Sequence, residues 1–242
     1  MRRGAVRSIE MAAAAGLLLA VTPLLLAAML AIWLEDRGPP LYRARRLGQG
    51  GRPFAMWKLR TMACGADLQG GRLAPEGDPR ITRVGALLRR WKIDELPQFA
   101  NVLGGDMALV GPRPDTLCAA DGYVADDLRL LAVRPGITCF ASILFFDEGR
   151  ALARVADPLA HYHLVLRPLK LRLGIVWIER RSLRGDLAIL VLTLLAFPAR
   201  PLARRGVAAM LRTRDADAEL LALCGPDDQL ASRSGSPAAL RG

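Results

Sequence analysis

The sequence is poor in aromatic residues, histidine and cysteine, and each shortage disfavours a class of protein or a kind of site. Phe, Trp and Tyr make up 5% of the 242 residues, which disfavours a protein that stacks single-stranded nucleic acid on aromatic rings. His161 and His163 are two residues apart on a predicted helix, so they point to different faces and do not predict a shared metal. The cysteines have no CxxC spacing, which favours reduced thiols over a disulfide framework; they are Cys64, Cys118, Cys139 and Cys224.

Acidic residues are also the minority among the charges. The chain has 34 Lys and Arg against 23 Asp and Glu, a net charge of +11, yet 52% of its residues are hydrophobic. A basic surface favours an anionic partner. Because nucleic-acid recognition motifs are missing, the apolar excess points to anionic lipid. We therefore expect a membrane-associated protein that does not bind nucleic acid.

Residues 11–34 form an apolar segment of 24 positions without a charge. As a straight helix they would extend roughly 36 Å, enough to cross an apolar bilayer core of about 30 Å. Pro23 interrupts the segment near its middle, where a proline removes a backbone donor and costs about 3 kcal/mol. The hydroxyl of Thr22 can bond a carbonyl that the proline leaves free, so a sharp bend is chemically feasible there.

Arginines flank this segment on both sides, with Arg2, Arg3 and Arg7 before it and Arg37, Arg43, Arg45 and Arg46 after it. A spanning helix would place one cluster outside, against the positive-inside bias. We therefore expect a re-entrant helix-break-helix that bends at Thr22 and Pro23 and keeps both ends in the cytoplasm. A single crossing is the alternative, as is a cleaved signal peptide, although a signal core is usually only ~7–15 residues long.

After the membrane segment the pattern changes to short elements separated by glycine and proline. Residues 45–54 are glycine-rich without the GxxxxGK[ST] spacing, so a plain hairpin turn is the better interpretation than a phosphate loop. Residues 53–62 alternate like a strand with Lys58 and Arg60 on one face. Residues 86–93 predict a basic helix.

Residues 93–105, IDELPQFANVLGG, have the marks of a short helix. Asp94 is a candidate N-cap, Pro97 is tolerated in the first turn, and Gly104 with Gly105 would end the helix. The positive helix end would then keep Asp94 ionised.

Asp94 and Glu95 are adjacent acids in a basic region that also contains Arg89 and Lys92. An ionised, partly desolvated carboxylate can attack phosphorus, and its neighbour can hold a divalent cation that neutralises phosphate oxygens. The alternative from chemistry alone is that Asp94 only caps a helix and Glu95 is exposed.

Arg113 lies between Pro112 and Pro114. Fixed φ angles on both sides would direct its guanidinium for bidentate phosphate recognition; a rigid turn with an incidental arginine is the alternative. Residues 186–198 are apolar but too short to cross a membrane, as expected of a core or interfacial helix. Residues 199–242 are basic and then of low complexity, with a Ser/Gly/Pro-rich end expected to be disordered.

Together these motifs resemble the bacterial sugar transferases, the monotopic phosphoglycosyl transferases that start glycan assembly on a polyprenyl phosphate. The resemblance extends from Arg7 to Phe197 and keeps the family order of motifs: the Thr22-Pro23 break, RLGQGGRPFAMWKLRTM, GDPRITRVGALLRR, IDELPQFANVLGGDMALVGPRP, VRPGIT and RRSLRGDLAILVLTLLAF. Several motifs in register are far more specific than any one of them.

The resemblance implies an α/β, mainly helical, monotopic membrane protein at the cytoplasmic face of the bacterial inner membrane. Its segments would be a re-entrant membrane helix at 1–36, a small catalytic domain with interfacial amphipathic helices at 37–198, and a C-terminal tail at 199–242. It also implies an enzyme that moves a phosphosugar from a UDP-sugar to undecaprenyl phosphate and releases UMP, as the initiating step of exopolysaccharide, capsule, O-antigen or glycoprotein glycan assembly. Downstream glycosyl transferases are further expected partners.

Residue by residue, Asp94 matches the family nucleophile that forms an aspartyl-phosphosugar, and Glu95 matches the partner acid that binds Mg²⁺. The other matched positions lie near the phosphates or the nucleotide and are expected to bind substrate: Arg89, Pro112, Arg113, Pro114, Lys58 and Arg60.

The sequence departs from the common family pattern at Ala44, Trp91 and Lys92, and after VRPGIT, where CFASILFFDEGR carries the acids Asp147 and Glu148. The last region is one that could contact the sugar, so the motifs do not name the donor. A non-catalytic, basic membrane adaptor is the alternative function. It explains the charge and the hydrophobicity but not the position of Asp94 and Glu95 in that motif.

Overall fold

The apolar segment near the N-terminus forms one long helix, α1 (Arg2–Asp36), in a computed structural model that describes residues 2–66 and 73–225. Its length and composition would allow it to cross a membrane. The predicted break at Thr22 and Pro23 is not a separation into two helices, because helical structure continues on both sides of Pro23. Thr22 Oγ1 donates a hydrogen bond to the Leu18 carbonyl at 2.7 Å, whereas the carbonyl that Pro23 leaves without its helical donor is that of Leu19.

A hairpin follows α1, with β1 (Leu41–Leu47) antiparallel to β2 (Pro53–Leu59). The tight turn between them has positive φ angles at Gly50 (+70°) and Gly51 (+72°), a region that disfavours side chains with a Cβ. The glycine-rich stretch is therefore the hairpin turn that the sequence predicts.

The next elements carry the acid pair: α2 (Arg83–Arg90), a one-turn 3-10 helix (Ile93–Glu95) and α3 (Gln98–Gly104). They are followed by β3 (Ala108–Val110), two 3-10 helices (Leu117–Gly122 and Asp127–Ala132) and β4 (Gly136–Thr138), which pairs with β3. The described residues are thus mainly helical with two small sheets, in agreement with the predicted fold class.

The chain divides into two compact units. The first comprises Met1–Gly70 and Pro79–Ile137, and the second comprises Gly71–Asp78 and Thr138–Gly242. The first unit therefore contains α1 and the acid pair together.

Short helices open the second unit: α4 (Phe140–Leu144), α5 (Glu148–Leu152) and α6 (Pro158–His161). A π-helical turn (Tyr162–Leu166) leads into α7 (Arg167–Glu179) and α8 (Leu183–Leu195). The segment after residue 198, which carried no helix prediction, contains α9 (Arg200–Arg212) and α10 (Ala218–Ala222). The Ser/Gly/Pro-rich end lies outside the described residues. The four cysteines, all within the described residues, are thiols and form no disulfide there.

In the first unit, α1 packs along the helices that carry the acid pair. Its buried residues Leu25, Ala28 and Ile32 form a cluster with Leu59 of β2 and Leu88 of α2. Ile93 and Leu96, which flank the two acids, pack against the same cluster. The apolar helix is therefore part of the core beneath the acid pair.

Polar contacts fix both ends of α1 to the same unit. Near its start, Arg7 donates hydrogen bonds to the carbonyls of Met107 (3.0 Å) and Val102, at the end of α3. Near its end, Glu35 accepts hydrogen bonds from the backbone N–H groups of Arg83 (2.8 Å) and Val84 at the start of α2. Each charge has the sign that the contacted helix end favours.

Replacing Arg7 should therefore destabilise the first unit. We expect Arg7→Ala to lower the unfolding free energy by about 1–3 kcal/mol, because a carbonyl in the last turn of α3 (Val102) and one just beyond it (Met107) lose a charged donor. Thermal unfolding in nanodiscs measures this loss. Arg45→Ala, which removes the same charge from an exposed position on β1, is the control and should leave the transition unchanged; equal effects of the two variants would contradict the proposed contact.

Candidate active site

The acid pair lies on the 3-10 turn between α2 and α3. Lys92 starts this turn with a left-handed backbone (φ +55°), an uncommon conformation for a residue other than glycine. The predicted N-cap role of Asp94 is wrong, because α3 begins at Gln98 with Pro97 as its cap. Pro97 has no N–H to bond back into the preceding turn, so the turn that carries Asp94 and α3 are distinct hydrogen-bonded elements, although the backbone angles of Leu96 and Pro97 between them are helical. The predicted stop is confirmed by Gly105, which ends α3 with a φ of +90°.

Glu95 is held by two cations from separate segments. Its carboxylate accepts a hydrogen bond from Lys58 Nζ at 2.9 Å and a bidentate pair from Arg113, with Nη1 at 2.9 Å from Oε2. Burial disfavours the charged form, but Arg113 and Lys58 outweigh it and hold the pKa of Glu95 well below its usual range. Glu95 is therefore ionised and fixed in place.

Asp94 has a different environment although it is the adjacent residue. It is 6% exposed, and its Oδ2 lies 3.8 Å from Lys58 Nζ, too far for a hydrogen bond. Burial raises the pKa of Asp94, with Lys58 opposing the rise and the negative charge of Glu95 adding to it. This direction is opposite to that expected from a helix end. The pKa values of the two neighbouring acids are thus shifted in opposite directions, as is common where carboxylates have chemical roles.

Two further basic residues belong to this site. Arg89 donates from Nε to Thr61 Oγ1 at 2.8 Å, and its charge favours ionised Asp94. Lys92 is largely enclosed; burial lowers its pKa, while Glu95 acts in the opposite direction. The acid pair therefore lies within a group of four basic side chains, an arrangement suited to a substrate with several phosphate charges.

The Pro112–Pro114 turn is anchored by a close backbone crossing. Gly136 donates its N–H to the Pro112 carbonyl at 2.9 Å. A Cβ on Gly136 would lie 2.1 Å from the backbone nitrogen of Gly111, so this crossing requires glycine. The turn directs Arg113 to Glu95, and the GPRP and VRPGIT motifs meet here although 18 residues (115–132) lie between them.

Arg60 is the predicted substrate-binding residue that the structure directs away from Glu95. It is 8% exposed and forms a bidentate ion pair with Asp36 at the end of α1, with both contacts at 2.5 Å. Its Nε also donates to the Pro39 carbonyl at 2.6 Å. Lys58 and Arg60 therefore have different surroundings, because Arg60 lies beyond the last residue of β2 and no longer follows the strand alternation.

Gln98 and Asn101 were not among the predicted site residues, although both are buried beside the acid pair. Asn101 joins α3 to the edge of β2, accepting from Trp57 N at 2.9 Å and donating to the Ala55 carbonyl at 2.8 Å. Their spacing from Asp94, four and seven residues, is the signal that would have found them, since it places all three on one helical face.

The magnesium ion predicted at Glu95 stays a prediction. The described residues contain no group of three or more His, Cys, Asp or Glu side chains that could hold a metal. Mg²⁺ commonly uses only one or two carboxylates and takes its other ligands from substrate phosphates and water. Glu95 accepts three hydrogen bonds out of about four lone-pair sites, which leaves one coordination position on Oε2.

The fold and this site define a class: a protein with a long apolar helix near its N-terminus and a buried carboxylate among four basic side chains. Residues 1–200 match the sequence model of the bacterial sugar transferase family, and the chain belongs to that family.

Named relatives share long stretches of sequence with this chain. It is 49% identical over 140 residues to the UDP-glucose:undecaprenyl-phosphate glucose-1-phosphate transferase of Caulobacter vibrioides, a match that covers 57% of this chain and 52% of that protein. It is 38% identical over 183 residues to the protein of the same name from Xanthomonas campestris pv. campestris, covering 73% and 35%. It is 41% identical over 126 residues to an N-acetylgalactosaminephosphotransferase of Aeromonas hydrophila that acts on undecaprenyl phosphate, covering 51% and 30%. The matches span about half the length of these relatives or less.

Glu95 should contribute to stability through its two cations. We expect Glu95→Gln to lower the unfolding free energy at pH 7 by about 1–3 kcal/mol, since Lys58 and Arg113 lose their partner. A carboxyl group with a depressed folded pKa stabilises above its unfolded pKa, near 4.3, and this contribution disappears as pH falls through the folded pKa. The difference between the variant and the unaltered chain should therefore shrink below pH 4. Thermal unfolding across pH measures it.

Glu76→Gln is the matched control, because Glu76 pairs with Arg150 on an exposed surface, with both side chains 58% exposed. Such a pair contributes about 0–1 kcal/mol, so this variant should change little. A Glu95→Gln effect of constant size from pH 7 to pH 3 would contradict the assignment to ionised Glu95.

Proposed function

We propose that this chain transfers a phosphosugar from a UDP-sugar to undecaprenyl phosphate, releases UMP and so starts assembly of a polysaccharide or other glycan. The observation that carries the proposal is the pairing of a buried, weakly held carboxylate, Asp94, with a firmly ionised one, Glu95, among four cations. Family membership and the printed activities of the relatives support it.

In the proposed first step, one oxygen of Asp94 attacks the β-phosphorus of the UDP-sugar. The bond from that phosphorus to the oxygen shared with the α-phosphate breaks, so UMP leaves and the sugar phosphate stays on Asp94. Asp94 is suited to this role because its carboxylate is desolvated and makes no hydrogen bond to Lys58, and a less stabilised anion is a better nucleophile.

In the second step, an oxygen of undecaprenyl phosphate attacks the same phosphorus and Asp94 leaves as a free carboxylate. The product is a polyprenyl-diphosphate-sugar, the substrate class of downstream glycosyl transferases. Lys58 and Arg113, the two cations that contact Glu95, would neutralise phosphate oxygens in both steps. Mg²⁺ held by Glu95 would supply further neutralisation of the diphosphate.

We further propose that the protein is monotopic, with the catalytic residues on the cytoplasmic face of the bacterial inner membrane. Both ends of α1 contact the unit that carries the acid pair, through Arg7 and through Glu35. A helix that crossed a core of about 30 Å would separate its ends by that thickness. We infer that α1 bends at Pro23 and remains in one leaflet, with its basic flanks in the cytoplasm.

One face of α8 supports membrane contact in the second unit. Leu183, Leu187, Val191 and Leu194 are between 56% and 72% exposed, and their spacing places them on one side of the helix. Ile189, on another side, is fully buried. Because α8 is apolar on its buried side and on its exposed side alike, the exposed side is not a polar, hydrated face, and we propose that its four residues contact lipid.

Nucleotide release tests the reaction. The full chain in nanodiscs with Mg²⁺, undecaprenyl phosphate and a panel of UDP-sugars should release UMP from at least one donor. Asp94→Asn should lower that release at least about 1,000-fold, because the amide cannot act as the nucleophile. Asp126→Asn, at a side chain that is 81% exposed, should leave it unchanged.

Release of UDP instead of UMP would mean sugar transfer and would contradict the Asp94 mechanism. Full turnover of Asp94→Asn would contradict it as well. No release from any donor by folded protein would favour the non-catalytic adaptor, which explains the basic and apolar surfaces but assigns no role to Asp94.

Fluorescence quenching tests the lipid contact of α8. In a background in which the exposed Cys64 and Cys118 are replaced by serine, a fluorophore on Leu187→Cys should be quenched by spin-labelled lipids in nanodiscs. A fluorophore on Leu128→Cys is the control, because Leu128 is similarly exposed at 55% but lies on a 3-10 helix of the first unit. Equal quenching at the two positions would contradict a specific role for α8.

A further inference from the structure

Three polar side chains lie along the inner face of the acid-pair segment. Buried positions recur at 94, 97, 98, 101 and 102, which is helical spacing. Leu96 and Pro97 both have right-handed helical backbone angles, so one inner face continues from the 3-10 turn into α3. Asp94, Gln98 and Asn101 therefore follow one another along this face.

The contacts of Asp94 and Asn101 show which element packs against this face. Asp94 lies beside Lys58 of β2, and Asn101 bonds the backbone of Trp57 and Ala55 on the same strand. Gln98 lies between them in the helical series. Helical spacing therefore places its buried side chain on the face that α3 turns to β2, one turn along from Asp94.

Unlike Asn101, Gln98 makes no hydrogen bond to the described residues with its side-chain amide in this state. It is 0% exposed, and neither Nε2 nor Oε1 makes a hydrogen bond to any part of the chain that the structure describes. Leaving such a group without a partner costs about 1–3 kcal/mol, whereas methionine would fill a similar volume without this cost. A buried amide in this condition points to a partner in another state of the protein.

We propose that Gln98 is a positioning residue for the nucleophile: its Nε2 donates a hydrogen bond to one oxygen of Asp94 while the other oxygen attacks the donor phosphorus. This inference rests on the proposed function. Because Gln98 is fully enclosed, it acts through Asp94 and does not touch substrate. Holding one oxygen fixes the rotation of the carboxylate and so directs the other oxygen.

The test compares Gln98→Met with the unaltered chain in three measurements. These are the rate of covalent phosphosugar adduct formation by intact-protein mass spectrometry in a single turnover, the dissociation constant of the donor, and the thermal midpoint. The donors are UDP-glucose and UDP-N-acetylgalactosamine, which the names of the relatives indicate.

We expect Gln98→Met to slow adduct formation about 10- to 100-fold, the loss expected for a hydrogen bond to a charged group. Donor affinity should change less than about twofold, since the residue does not bind substrate. The thermal midpoint should stay the same or rise, because an unpartnered buried amide is removed. Asn101→Leu is the structural control and should lower the midpoint, since it leaves two β2 backbone groups without partners.

A lower midpoint for Gln98→Met, similar to that of Asn101→Leu, would overturn the proposal by making Gln98 a structural residue. An unchanged rate of adduct formation would overturn it as well. If the unaltered chain forms no adduct, the proposed function itself is wrong and this inference falls with it. The unaltered chain therefore tells the two failures apart.

Discussion

The ion pairs of Glu95 with Lys58 and Arg113 join three segments that are distant in the sequence. Lys58 comes from a hairpin strand, Glu95 from the turn between two helices, and Arg113 from a proline-flanked turn. Each cation loses hydration when it is enclosed, and the carboxylate compensates both of them. Once Glu95 is held in this way, its neighbour Asp94 is brought beside Lys58 but outside hydrogen-bond distance, which leaves a buried carboxylate with little direct stabilisation.

This division of roles between adjacent acids is what makes the site chemically capable. Arg113 and Lys58 contact Glu95 directly and depress its pKa. At Asp94 burial dominates and raises the pKa. Two carboxylates with different environments can hold different functions, one orienting cations and phosphates and the other reacting. The adaptor hypothesis has no explanation for such a difference.

The second constraint is the coupling of α1 to the acid pair. Ile93 and Leu96 flank the acids in sequence and pack against the cluster that α1 forms with Leu59 and Leu88. Arg7 and Glu35 contact the helix ends on either side of the same segment. An apolar helix that served only as an anchor would need none of these contacts. A phosphate on a lipid carrier cannot leave the membrane surface at low cost, so in the proposed reaction a site that is built on α1 would meet its acceptor at a fixed depth.

The sequence by itself determined the acid pair, the hairpin turn, the end of α3 at Gly105, the apolar helix and the family. Those features depend on local chemistry, such as glycine conformations, uncharged stretches and motifs in register. Only the tertiary structure decided that Asp94 precedes α3 as part of a separate 3-10 turn and that Arg60 forms an ion pair with Asp36. It also decided that, within the described residues, the side chain of Asn101 is hydrogen-bonded while that of Gln98 is not. A side chain's partner depends on which distant backbone or charge packs against it, and spacing along one segment does not contain that information.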